Sequence, residues 1–128
     1  MRLLLDTHIA LWAITDSPAL PTEARRLILA PHNEIYVSAA SIWEISIKHG
    51  LGRGDIPVSG GEAADYFAQA GYMTLDISTH HAVFVESLPP HHADPFDRML
   101  VAQALSEPMR LLTHDKAVSL YSDTVILV

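Results

Sequence analysis

The chain has 128 residues, the length of one domain, and 49% of them are hydrophobic against 18% charged, which excludes a disordered or low-complexity polymer. Cysteine is absent, so neither disulfides nor thiolate metal sites hold the fold, a composition that suits a reducing cytoplasm. A formal net charge of −7 excludes a broad basic face for nucleic acid, but not chemistry on one, because bound cations invert the field of an acidic site.

Leu3-Leu4-Leu5 opens the chain as an apolar run suited to a strand buried on both faces, and Asp6 stands where that strand ends. Ligands of open parallel sheets bind beyond the carboxyl ends of the strands, so Asp6 is placed for a site. It is equally placed to cap the helix that Ile9, Leu11, Trp12 and Ala13 suggest over residues 8–14, which Asp16-Ser17-Pro18 breaks. Thr22 is expected to cap a second helix through Leu29, with Glu23 in its first turn and Pro31 beyond its end. Glu34-Ile35-Tyr36-Val37 reads as a strand. Ser38 or Ser41 then starts a helix that reaches Lys48, with Gly50 as its stop. Residues 50–55 form a glycine-bearing loop whose spacing matches neither the dinucleotide fingerprint nor the P-loop.

Residues 62–70 read as a helix and residues 72–75 as a strand. Ser78 is expected to cap a helix through Leu88, where Pro89-Pro90 forbids continuation. His80-His81 and His91-His92 lie in or beside this region. Adjacent helical residues point about 100° apart, so neither pair clamps a metal in the i, i+4 manner, and without cysteine no structural zinc site is expected. Asp94 caps a further helix with Pro95 at its first position; Phe96, Met99, Leu100, Val101 and Leu105 form its apolar side, and Pro108 closes it. Leu111-Leu112-Thr113 is a strand ending in His114-Asp115, residues 117–121 are a short helix, and residues 125–128 a last strand. The order β-α-α-β-α-α-β-α-α-β-α-β requires crossovers. The fold class is therefore α/β, a mostly parallel central sheet flanked by helices on both faces, in one domain over residues 1–128. No signal peptide and no apolar run near the ~20 residues of a membrane helix interrupts it.

Acidic residues recur at strand ends and helix starts. Glu44 shares a polar stripe with Ser41 and Lys48 on an otherwise apolar helix. A capping box with Ser41 or an i, i+4 pair with Lys48 would each account for it, yet a helix so apolar is mostly buried, and a buried carboxylate needs a partner or a metal. Asp97 falls in the first turn after the Asp94 cap, where the helix dipole favours it, and Asp115 ends a strand as Asp6 does. Converging on one rim, Asp6, Glu44, Asp97 and Asp115 would repel one another and raise some of their pKa values. A divalent cation removes that conflict, and oxygen ligands favour Mg2+ or Mn2+ over zinc. Such an ion lowers the pKa of a bound water and stabilises charge on a phosphate, chemistry that fits phosphodiester hydrolysis better than acyl transfer.

The segments Leu3 to His8, Ser38 to Lys48, Asp94 to Ala104 and Leu111 to Ala117 resemble, in order, the motifs of PIN-domain nucleases, and most closely the VapC toxins of toxin–antitoxin pairs. Asp94-Pro95-Phe96-Asp97-Arg98-Met99-Leu100-Val101-Ala102-Gln103-Ala104 is the most specific piece. The resemblance implies a PIN-domain fold and a Mg2+- or Mn2+-dependent endoribonuclease. Its catalytic, metal-binding acids would be Asp6, Glu44, Asp97 and Asp115, with Thr7 and Thr113 supporting them. It also implies an RNA substrate, a VapB-type antitoxin, a homodimer, and products with a 5′ phosphate and a 3′ hydroxyl. Lys48, Arg53 and Arg98 are candidates for holding phosphates, and Arg98 fits a surface ion pair equally well. Two other classes stand beside this one. A receiver-type phosphoacceptor also gathers acids around magnesium, but expects neighbouring acids after its first strand, where this chain has Thr7-His8. A PIN-like module kept for RNA or protein binding alone would not need the full acid set.

Overall fold

The computed structural model describes residues 1–128. In chain order its elements are β1 (Arg2–Leu5), α1 (Thr7–Ile14), α2 (Thr22–Leu29), β2 (Glu34–Ser38), α3 (Ala39–Gly50), α4 (Gly60–Gln69), β3 (Met73–Leu75), α5 (Thr79–Phe84), α6 (Pro95–Ser106), β4 (Arg110–Thr113), α7 (Lys116–Ser119) and β5 (Ile126–Leu127). The strands form one five-stranded sheet in the order β3-β2-β1-β4-β5, with every pairing parallel. The expected α/β class and element order are therefore those observed. No helix is long and apolar enough to cross a membrane.

β1 lies at the centre, and Leu3, Leu4 and Leu5 are fully buried because each faces a helical layer. Alternate side chains of a strand point to opposite faces. Leu3 and Leu5 join Ile35, Val37 and Leu112 in a core with α1, α2 and α4, where Ile9, Ala24 and Phe67 pack. Leu4 and Leu111 point the other way, into a core with Leu100, Val101, Ala104 and Val118 from α6 and α7. α3 belongs to both layers: Ala40 packs in the second core and Ile45 in the first. It therefore crosses the rim of the sheet where the strands end.

Several element starts differ from expectation for identifiable reasons. Ser38, not Ser41, caps α3 by accepting the Ala40 N–H at 2.9 Å, and the helix runs through Gly50 to a cap at Leu51. α2 begins at Thr22 itself, after Pro21, without a side-chain cap. α4 begins two residues before Glu62, because Ser59 and Glu62 close a reciprocal capping box. α5 ends at Phe84 and tightens into a 3-10 turn over Val85–Ser87. The Val85 carbonyl accepts the Leu88 N–H of that turn and also Arg98 at 3.2 Å, and the Leu88 carbonyl beyond it accepts from Arg98 at 3.3 Å.

α3 and α4 approach closely at Gly60. A Cβ built there would stand 1.8 Å from Ser46 Oγ and 3.3 Å from the Ile42 carbonyl, whereas a Cβ at Gly61 meets nothing closer than 4.0 Å. Gly60→Ala is expected to lower stability by about 1–3 kcal/mol, the usual range for overpacking. Adding Ser46→Ala should recover part of the loss, and Gly61→Ala should be neutral or mildly stabilising. Urea unfolding of the four proteins checks this; Gly60→Ala matching Gly61→Ala would mean the helices part freely there.

Candidate functional site

The site grows from strands that run directly into helices. Asp6 follows β1 and caps α1: its Oδ1 accepts the Ile9 N–H at 2.9 Å. Its Oδ2 accepts the hydroxyl of Thr113, at the end of the neighbouring β4. Thr113 Oγ1 accepts in turn the Asp115 N–H at 3.1 Å, and Asp115 caps α7 through Oδ1, which accepts the Ala117 N–H at 2.8 Å. Helix capping and a place in the site are thus compatible: in both residues one oxygen meets a helix N-terminus while the other faces a second group.

Asp97 enters from the first turn of α6. Asp94 caps that helix, its Oδ1 accepting the N–H groups of Phe96 and Asp97 at 2.8 and 3.2 Å. A cleft of about 350 Å³ brings Asp6, Asp97 and Asp115 together, with His8, Trp12 and Lys116 also on its walls. Glu44 does not line this cleft. It is 4% exposed on α3, its Oε1 accepts the Thr7 hydroxyl at 2.7 Å, and its Oε2 pairs with Lys48 Nζ. The Lys48 pair anticipated from spacing is present, with Glu44 buried and Lys48 half-buried; the Ser41 capping box is not, because Ser38 holds the cap and Ser41 Oγ lies 2.9 Å from Thr7 Oγ1.

The sequence reading missed His92. Its Nε2 lies 3.2 Å from Asp97 Oδ2 and 2.9 Å from Asp115 Oδ2, and these three residues offer ligand-type atoms within 4.8 Å of one another. Helical spacing and the lack of cysteine argue against a metal clamp at His91-His92 but say nothing of the place of His92 just before the Asp94 cap, which is the signal the sequence carries. The three candidate phosphate-binding cations are otherwise engaged. Lys48 is paired with Glu44, and Arg53 forms two contacts of 3.2 Å with Asp55. Arg98 forms no ion pair; it donates to the carbonyls of Val85, Leu88 and Pro89 and to Tyr121 Oη.

Burial raises the Asp6 carboxyl above its ordinary pKa, although the Thr113 and Ile9 hydrogen bonds pull the other way. Asp97 is pushed up to about 7, first by burial and then by the like charges of Asp94, Asp6 and Glu44, with His92 opposing. Glu44 therefore acts on Asp97 although it stands outside the cleft. Burial also works against ionised Asp115, but the hydrogen bond from His92 and the Ala117 N–H outweigh it and lower its pKa. Burial opposes charge on His92, and the neighbouring Asp115, Asp97 and Asp94 more than compensate, raising its pKa. The donor set is one a hard divalent cation accepts: carboxylate oxygens on one wall, crowded enough that one resists ionising.

The sequence model of the family described as PIN domain matches residues 3–123. No curated protein matches the sequence. Among solved structures, the fold is similar to VapBC2 from Rickettsia felis bound to a DNA fragment from its promoter, with a TM-score of 0.72 and 18% identity over 100% of this chain and 98% of that one. It is similar also to a toxin-antitoxin complex from Klebsiella pneumoniae, with a TM-score of 0.66 and 17% identity over 97% and 95% of the two chains. A third is VapBC-1 from nontypeable Haemophilus influenzae, with a TM-score of 0.64 and 18% identity over 100% and 97%.

The conflict at Asp97 gives the metal-free protein a pH dependence of known sign. Its folded pKa of about 7 lies above the ordinary 3.8, so its contribution to stability is fully present below about pH 4 and is lost as pH rises through about 7. Urea unfolding in EDTA should show wild type weakening between pH 5 and 8. Asp97→Asn should flatten that slope and be more stable at pH 8 by on the order of 2 kcal/mol. A loss of several kcal/mol in the variant would make Asp97 a structural helix residue instead.

Proposed function

Because this chain belongs to the PIN domain family, we propose that it is a metal-dependent endoribonuclease, a VapC-type toxin that hydrolyses RNA phosphodiester bonds. The observation that carries the reading is the convergence of Asp6, Asp97 and Asp115 on one cleft, with Asp97 driven toward neutrality by its neighbours. Similarity to the toxin–antitoxin complexes supports it, and supports with it a VapB-type antitoxin as partner. Asp6, Asp97 and Asp115 would hold Mg2+ or Mn2+ directly or through water, and Glu44, fixed on α3 by Thr7 and Lys48, would add its charge across space. The bound cation supplies an activated water and stabilises charge on the phosphate. Lys116, the one Lys or Arg lining the cleft, meets the phosphodiester, and the products carry a 5′ phosphate and a 3′ hydroxyl. The reaction belongs to the cytoplasm, where RNA and antitoxin are found together.

The same reading covers a second feature with protein. An apolar groove of about 400 Å³ between α3, α5 and α6 is lined by Trp43, Ile77, Val85, Phe96 and Met99, and Trp43 is 59% exposed. A second copy of the chain closes this groove in a homodimer. Sedimentation should find wild type dimeric at micromolar concentration and Trp43→Glu monomeric; a wild-type monomer would remove the dimer from the reading.

Cleavage of a mixed RNA pool by purified, antitoxin-free protein tests the activity. With Mg2+ or Mn2+ wild type should cut, with EDTA it should not, and Asp6→Ala should lose at least about a hundredfold, the scale of losing a charge-stabilising group in a site. A folded wild type that cuts no RNA with either cation, and binds neither, would leave a PIN-like binding module.

A further inference from the structure

We propose that His92 is a positioning residue for the cation site: locked by its own loop in one tautomer, it uses its Nε2–H to hold the Asp115 carboxylate beside Asp97. This rests on the cation-site reading above. His92 Nδ1 accepts the backbone N–H of Asp94 at 3.0 Å. A ring nitrogen that accepts carries no proton, so the neutral imidazole keeps its proton on Nε2. Nε2 then donates to Asp115 Oδ2 at 2.9 Å, and Asp97 Oδ2 lies 3.2 Å from the same nitrogen. A histidine ligating through Nε2 would need its lone pair there and its proton on Nδ1, directly against the Asp94 N–H. The geometry makes His92 a donor to Asp115 rather than a ligand beside it.

The loop around His92 is fixed from several sides. The His92 N–H donates to Tyr121 Oη at 2.9 Å, and the same oxygen receives Arg98 Nη1 at 3.0 Å. Arg98 also ties down the carbonyl of Pro89 at 3.0 Å, and the His91 ring packs edge-on against Tyr121 with centroids 5.0 Å apart. Arg98, Tyr121 and Asp94 thereby aim one imidazole at two acids, and none of the three lines the cleft itself. Asp115 Oδ1 is already committed to the α7 cap, so the hydrogen bond from His92 to Oδ2 completes the orientation of that carboxylate. Without the donor, the Asp115 carboxylate loses its fixed place beside Asp97, and an arriving cation must draw it back.

Hydrogen-bond partners of ligating groups typically govern metal affinity by about 10–100-fold. Calorimetric titration of Mn2+ into the full chain should therefore find His92→Phe weaker by about that factor. His92→Gln, whose side-chain amide also donates, should recover most of the affinity, and Tyr121→Phe should weaken binding in the same direction but less. Nitrogen-15 NMR of the imidazole should show Nε2 protonated both in EDTA and with Mg2+ bound. Wild-type affinity in a folded His92→Phe overturns the proposal, as does loss of the Nε2 proton on Mg2+ loading, which would make His92 a ligand. Should His92→Phe fail to fold, His92→Gln and the Nε2 resonance decide. Wild type that binds neither cation overturns the nuclease reading and this proposal together; wild type that binds alongside an equally tight His92→Phe overturns this proposal alone.

Discussion

A carboxylate that spends one oxygen on a helix N-terminus is the interaction on which this site depends. Exposed N–H groups at a helix start carry partial positive charge, and an acidic side chain there satisfies a donor and offsets the dipole. Asp6 and Asp115 both do this, and in each the capping oxygen fixes where the other oxygen points. The parallel sheet multiplies the effect. β1 and β4 are neighbours in register, Leu5 opposite Leu112, so the two junctions finish side by side and Thr113 hydrogen-bonds to both. On the other flank Leu5 lies opposite Val37, which brings Thr7 at the start of α1 to Ser41 and Glu44 on α3. Negative charge is thus gathered by backbone geometry, and local donors hold it in place.

The two cores make that gathering possible. Three consecutive leucines can all be buried only in a strand covered on both faces, which puts β1 in the middle of the sheet and Asp6 in the middle of its rim. α3 then serves both layers from the rim. Its apolar residues anchor it above and below the sheet, while Ser41 and Glu44 are carried into a buried polar cluster that would be unfavourable without Thr7 and Lys48. The closeness of α4 at Gly60 keeps that helix against its neighbour.

The fold was largely legible because its signals are local. The apolar run of β1, the Asp94-Pro95 start of α6 and the Pro89-Pro90 stop are each written in a few adjacent residues. The acids were legible for the same reason: strand-end and helix-start positions can be read without knowing what packs where. Contacts between distant segments were not. Nothing near Arg98 in sequence shows that its guanidinium is consumed by carbonyls of residues 85–89, and nothing near His92 shows that Asp115, on a different element, completes its bonding. The burial of Glu44 was legible from its apolar helix, but not that Thr7 and Lys48, from other turns of the structure, take up its two oxygens outside the cleft. The capping Ser59 was missed for a smaller reason: two glycines between it and Glu62 concealed a reciprocal box that needs only the end residues.

The sheet ends on both sides in very short strands, three residues in β3 and two in β5, against four or five in β1, β2 and β4. An edge strand with unpaired backbone groups is a template on which another chain can add itself, and its grip grows with its length. Here each margin offers only two or three residues of strand. Lengthening the sheet from molecule to molecule is therefore a poor route of association, and copies or partners must recognise this protein through side chains on its helices. That kind of recognition can be specific in a way that backbone pairing is not, since every chain presents the same amides but only the right one presents a matching surface.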